Sequence, residues 1–334
     1  MGAGHGHGHG HGHAVSATAD RRYLAGALAL IVAYMSAEVA IGLIARSLAL
    51  LSDAAHMLTD AFAIAFALIA MRIAAHPPKG GYTYGLRRAE ILSAQLNGLT
   101  LILLAAYFVY ESVHRLLDPP QVAGALVFWT SLSGIAVNLA ATWLIGRADR
   151  ASLNVEGAFQ HILNDLYAFI ATAVAGLVVW TTGFARADVI ASLVVAALMV
   201  KAGYGLLRDA GRVLMEAAPA GIDPAEIGAR MAGRACVQEV HDLHVWEVTS
   251  GYPALSAHVL VEPGGDCHAV RRDLRQMLAA SYGITHTTLE VDHIGEPGTP
   301  WDGQEHCTDA HGPRHLSDAP PGPPPQPGGA VCGH

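Results

Sequence analysis

Two pairs of residues could do chemistry together by type and spacing: His56 with Asp60, and His161 with Asp165. Members of each pair stand four residues apart within an apolar stretch. That spacing puts them on one helix face, with Cβ atoms about 5–6 Å apart. Two imidazoles and two carboxylates meeting between two helices would form a tetrahedral nitrogen–oxygen shell of the kind that suits Zn²⁺. Cu⁺ favours thiolate and thioether ligands, and all four cysteines fall outside the apolar stretches. Mg²⁺ and Ca²⁺ favour all-oxygen shells. One such pair alone could equally be a helix hydrogen bond or a polar cap. Two identical pairs within apolar helices are a far more specific signal, because ionisable groups there are expensive to keep.

The same ligands carry protons when metal is absent. Imidazole and carboxylate must be deprotonated to coordinate, so binding releases protons and affinity depends on pH. The residues therefore predict a site that exchanges a divalent cation for protons. Ligand type leaves Zn²⁺, Cd²⁺ and Co²⁺ undivided.

The elements that must position these residues are long apolar segments. Of the 334 residues, 52% are hydrophobic and 14% charged, against about 25% charged in soluble domains. Six stretches meet the requirement of about 20 apolar residues for crossing a bilayer: 23–45, 48–72, 89–113, 122–146, 157–181 and 187–207. Basic residues alternate across their connections. Arg21 and Arg22, then Arg72, Lys79, Arg87 and Arg88, then Arg147 and Arg150, then Arg208 and Arg212 fall on one side; Arg46, Arg115 and Arg186 fall on the other. The positive-inside rule then predicts cytoplasmic termini. With no secretory or organelle signal, a bacterial inner (cell) membrane is expected.

Four regions follow from this reading: a Gly/His-rich arm at 1–20, a six-helix membrane bundle at 21–211, a small cytoplasmic α+β domain at 212–296, and a Pro/Gly-rich tail at 297–334 expected to be disordered. In the arm His5, His7, His9, His11 and His13 alternate with glycine. An affinity tag usually has uninterrupted histidines, so this reads as a flexible metal-collecting arm. In the α+β domain the pattern predicts helices at 223–235 and 266–281 and strands at 237–248, 252–262 and 284–293. A domain of this size gains from dimerisation. The charge divides unevenly: residues 1–211 hold 13 Lys/Arg and 12 Asp/Glu, while 212–334 hold 7 and 16. An acidic, histidine-bearing end argues against nucleic acid as a partner. The cysteines form no C-x-x-C pair and no readable disulfide framework, and free thiols suit a reducing cytosol.

The stretches SLALLSDAAHMLTDAFA (47–63), GYTYGLRRAEILSAQLNG (81–98), HILND (161–165) and HDLHVW (241–246) resemble the cation diffusion facilitator family over roughly residues 20–295. The resemblance implies a homodimer, a metallochaperone-like cytoplasmic domain and zinc/proton exchange at His56, Asp60, His161 and Asp165. It also matches His241, His258 and Asp292, and more loosely His286, to a regulatory Zn²⁺ site at the dimer interface. His76 matches a loop site of some relatives. The residues alone leave each of these five as an ordinary packing, surface or loop residue; His286, Glu290 and Asp292 share one strand face. The chain departs from the family's usual glycine before the fifth-helix aspartate, carrying Asn164, which puts local packing or a hydrogen bond to Asp165 in question.

No resident cofactor and no enzymatic motif is read. A metallohydrolase should show a general base beside its ligands and an open coordination position. A membrane-tethered sensor would not need the buried pairs. Other polar groups lie inside the spans. Asn97 and Asn138 are expected to bond between helices, and Asp53 could act beside Asp60.

Overall fold

The computed structural model describes residues 17–45, 48–117, 124–150, 152–184, 186–294 and 312–317, without the side chains of residues 17–19, 41, 42, 45, 48–56, 59, 126 and 188. The Gly/His arm up to residue 16 and most of the tail lie outside them. The chain divides into two units, Met1–Ala210 and Gly211–His334.

Six long helices make up the first unit: α1 (Ala17–Ala45), α2 (Leu48–Ala74), α3 (Ala89–Leu117), α4 (Gly124–Ile145), α5 (Leu153–Thr182) and α6 (Arg186–Leu214, running on into the second unit). Among the described residues, five stretches are long and apolar enough to cross a membrane: Asp20–Ala40, Ala89–Leu117, Val127–Ile145, Leu153–Thr182 and Val189–Leu214. They belong to α1, α3, α4, α5 and α6. The remaining helix, α2, is 27 residues long and is not among them.

Small side chains bring the helices together, as expected where lipid offers no hydrophobic drive between them. Leu24, Ala27, Ile31, Met57, Ala61, Ile64, Ala67, Ala158 and Ile162 form one buried cluster joining α1, α2 and α5 with Ala141 and Ile145 of α4. α3 and α6 also meet at glycines. A Cβ added at Gly203 would lie 2.8 Å from the carbonyl oxygen of Gly98, so neither position tolerates a side chain at this spacing.

Polar groups fix the helix ends. Arg21 of α1 donates to the carbonyl of Met71 in α2 (2.8 Å), and Asp20 accepts from the backbone N–H of Asp149 (2.9 Å). Asn138 bonds within its own helix, to the carbonyl of Gly134 (3.2 Å), and not between helices as its sequence context suggests. Its own i−4 carbonyl is within reach without crossing a gap. Asn97 presents its amide to Gly157 of α5, where an added Cβ would meet Nδ2 at 3.3 Å; that Nδ2 has no hydrogen-bond partner among the described residues.

In the second unit the helices are α7 (Pro224–Ala232) and α8 (Cys267–Tyr282) and the strands β1 (Val237–Glu247), β2 (Pro253–Val261), β3 (His286–His293) and β4 (His315–Leu316). Asp223 caps α7 by accepting from Ala225 N–H, ahead of Pro224 at the first helical position, where its missing N–H does no harm. Asp266 caps α8, accepting from His268 and Ala269, and Gly283 ends it in the left-handed region (φ 68°). The sheet order is β3-β2-β1-β4, with β1 antiparallel to β2 and β4 and β2 parallel to β3. The parallel pair requires the crossover that α8 supplies. Ile227 and Met231 of α7, Leu274 and Leu278 of α8, and Val240, Leu255 and Val259 of the strands are fully buried together. Each such side chain contributes roughly 1.5–3 kcal/mol.

Two findings differ from the sequence reading. β4 lies within the stretch expected to be disordered. Cys236 is disulfide-bonded, whereas the sequence reading expected free thiols, and Cys267 Sγ lies 3.4 Å from Nε2 of His293.

Candidate metal centre

α2 and α5 pack antiparallel, and one hydrogen bond shows the register. The fully buried Asn154 donates its Nδ2 to the carbonyl of Ala67 at 2.9 Å. Asn154 precedes His161 by seven residues and Ala67 follows Asp60 by seven, so the next close approach falls about 10 Å along both helices. There Asp60 and His161 meet.

His161 Nε2 lies 3.4 Å from Asp60 Oδ1 and 3.9 Å from Asp165 Oδ2. One ligand atom from each of the three lies within 4.8 Å of the others, and no other such trio of His, Cys, Asp or Glu occurs among the described residues. Zinc–nitrogen and zinc–oxygen bonds of about 2.0–2.2 Å imply ligand–ligand edges of roughly 3.3–3.5 Å in a tetrahedron. The His161–Asp60 distance already matches an edge; the others need a contraction of an ångström or so. His161 is fully buried and, among the described residues, neither of its ring nitrogens has a hydrogen-bond partner. Two carboxylates side by side in a low-dielectric interior repel strongly unless a cation or protons neutralise them. The arrangement is chemically a receptor for positive charge.

The backbone of His56 lies in α2, one turn before Asp60; its side chain, with that of Asp53, is outside those described. Asn164 is buried and donates Nδ2 to the carbonyl of Gln160 at 2.6 Å. The amide therefore turns back along α5, and Asp165 keeps its acceptors for the cluster. His76 places Nδ1 3.0 and 3.1 Å from the carbonyls of Arg72 and Ile73. Since a carbonyl only accepts, Nδ1 carries the proton and caps the end of α2.

In the second unit His241 and His258 are cross-strand partners with rings 5.4 Å apart. The other two residues drawn into this site pair elsewhere along β2. His286 pairs with Ala254, near the ring of Tyr252, and Asp292 pairs with Leu260. His258 is opposite Glu290, four residues from His286, or roughly 13 Å along the strand. The groups that do surround His258 are Glu290 (Nε2–Oε2 3.2 Å) and Asp242 (3.8 Å), and Asp242 also meets His244 at 3.0 Å. A bulge between His241 and His244 and a left-handed Asp242 (φ 52°) turn that carboxylate toward both histidines. Alternation along a regular strand would not place it there, so only Glu290 had a legible signal, through its shared face with Asp292.

Residues 24–215 match the cation efflux transmembrane domain, and residues 219–294 match the cytoplasmic domain of cation efflux proteins. The chain belongs to the cation efflux, or cation diffusion facilitator, family. It is 35% identical over 279 residues to the cadmium, cobalt and zinc/H(+)-K(+) antiporter of Bacillus subtilis, covering 82% of this chain and 89% of that one. Similarity to the metal cation efflux system protein CzcD of Cupriavidus metallidurans is 36% over 293 residues, covering 87% and 90%. The zinc transporter ZitB of Escherichia coli is 33% identical over 276 residues, covering 82% and 88%. All three names are those of transporters, not enzymes.

Proposed function

We propose that this chain exports Zn²⁺ from the cytoplasm in exchange for protons, by alternating access through a tetrahedral site formed by His56, Asp60, His161 and Asp165. The observation that carries the reading is the trio of buried Asp60 and His161 with part-buried Asp165, on two antiparallel helices of a membrane-spanning domain. Cd²⁺ and Co²⁺ are further substrates on this reading, since the ligand set does not exclude them and one relative carries both in its name.

Exchange follows from electrostatics. Two buried carboxylates cannot both remain charged and unneutralised in a low-dielectric interior. The site is therefore filled either by the metal, with imidazole and carboxylates deprotonated, or by protons. A transporter that reorients only when the charge is neutralised must carry one in each direction. On this reading α2 is the sixth span of a bacterial inner-membrane protein, and the alternation of basic residues supports cytoplasmic termini. The chain acts as a homodimer joined through its cytoplasmic domains. There His241 and His258, with Asp242 and Glu290 beside them, hold a second, regulatory Zn²⁺, in place of the set with His286 and Asp292.

Cobalt tests the site directly. Co²⁺ bound to the detergent-solubilised protein should give the strong visible absorption of a tetrahedral centre, lost in His161→Ala. A weak octahedral spectrum, or an unchanged one in that variant, would remove the four-ligand site.

A further inference from the structure

β4 is made by residues far beyond the last of the family domain, which matches only to residue 294. Without it β1 would be an edge strand. Glu239 pairs with Leu316 and Val240 with His315, and Ser317 N–H donates to the carbonyl of Gln238 at 3.0 Å. Antiparallel bonding alternates, so Gln238 and Val240 turn their backbone groups to β4, while Glu239 and His241 turn theirs to β2. An edge left open at those positions is a template for pairing with other chains.

The contact extends beyond the backbone. The ring of His315 rests on Gly228 of α7, where an added Cβ would overlap its Cδ2 and Nε2. Gly228 is buried within the helix, a position where alanine would ordinarily be preferred. At Gly228 the absence of a side chain is what admits the imidazole.

We propose that the outer edge of β1, together with the notch over Gly228, is a docking site for an extended peptide, and that its occupant is the chain's own segment 312–317, bound in cis. The connection is long enough. Residues 294–311 separate β3 from this segment, and 18 residues extend up to about 60 Å, whereas the sheet is only about 14 Å across from β3 to β4. A tethered segment also meets its site at millimolar effective concentration, which suits so short a strand. The strap closes the β1 edge against β-addition by a second copy or a foreign chain.

Hydrogen–deuterium exchange on the whole protein in detergent tests this, in reductant so that the Cys236 disulfide does not contribute. Peptides covering Gln238 and Val240 should exchange about tenfold faster after truncation before Gly312, and should be protected again by a synthetic peptide of residues 312–317. Gly228→Ala should reproduce the truncation, and adding His315→Ala should reverse it by making room for the new methyl group. Equal exchange in the full and truncated chains would mean that the strap does not form. Loss in Gly228→Ala without rescue would mean that the notch does not seat His315. When full-length chains are mixed with truncated ones, protection appearing in the truncated chain would overturn binding in cis.

Discussion

Asn154 donates to the carbonyl of Ala67 two helical turns from the point where His161 meets Asp60. The bond is buried and joins the two helices that carry Asp60 and His161, so it sets their axial register. Removing it with Asn154→Ala should destabilise the protein by roughly 1–2 kcal/mol and weaken Zn²⁺ binding by about 10–100-fold, as losses of ligand-supporting groups do. Thermal unfolding without metal and zinc titration with it separate the two effects. A drop in stability with unchanged affinity would reduce Asn154 to a packing residue.

Loss of a ligand should exceed loss of its support. His161→Ala and Asp60→Asn should each lower Zn²⁺ affinity by more than about 100-fold. Both should leave the metal-free protein no less stable, because each relieves a buried polar cluster. Isothermal titration and thermal denaturation read the two quantities.

Gly203 and Gly205 offer a matched pair on one helix. Gly203→Ala would press its Cβ to 2.8 Å from the Gly98 carbonyl, whereas nothing lies within 4 Å of a Cβ at Gly205. The first should cost about 1–3 kcal/mol by overpacking; the second should stabilise by up to roughly 1 kcal/mol through helix propensity. Detergent melting curves of the two variants should shift in opposite directions.

Asp266 should make the start of α8 sensitive to acid. The backbone N–H of Ala269, helped by that of His268, holds its carboxyl below the usual carboxylate range against a smaller opposing effect of burial. A carboxyl lowered in the folded state stabilises fully above its unfolded value of about 3.9, and that contribution fades as pH falls through the lower folded value. Amide exchange in the first turn of α8 should therefore be insensitive to this group from pH 7 to about 5 and lose protection below about 4. In Asp266→Asn that acid-dependent step should vanish.

Much of this was legible in the sequence because it depends on local pattern. Apolar run length located the helices, and i, i+4 spacing put His161 and Asp165 on one face. Asp223 before Pro224 marked a helix start. What stayed hidden depends on partners distant in the chain. Nothing near Asn154 announces Ala67, and nothing near Gly228 announces His315. The bulge that turns Asp242 toward His258 breaks the alternation on which strand reading rests, so that neighbour left no mark in the sequence. Asn164 raised the right question, but only the geometry shows its amide directed to Gln160.

The central claim is proton-coupled transport through the paired helices, and zinc uptake into proteoliposomes under an imposed pH gradient tests it most directly. Wild-type protein should accumulate Zn²⁺ in proportion to the gradient, and Asp60→Ala and Asp165→Ala should each abolish that flux. Zinc binding in the wild type without gradient-driven flux would contradict antiport. Flux that survived either substitution would contradict transport through this site.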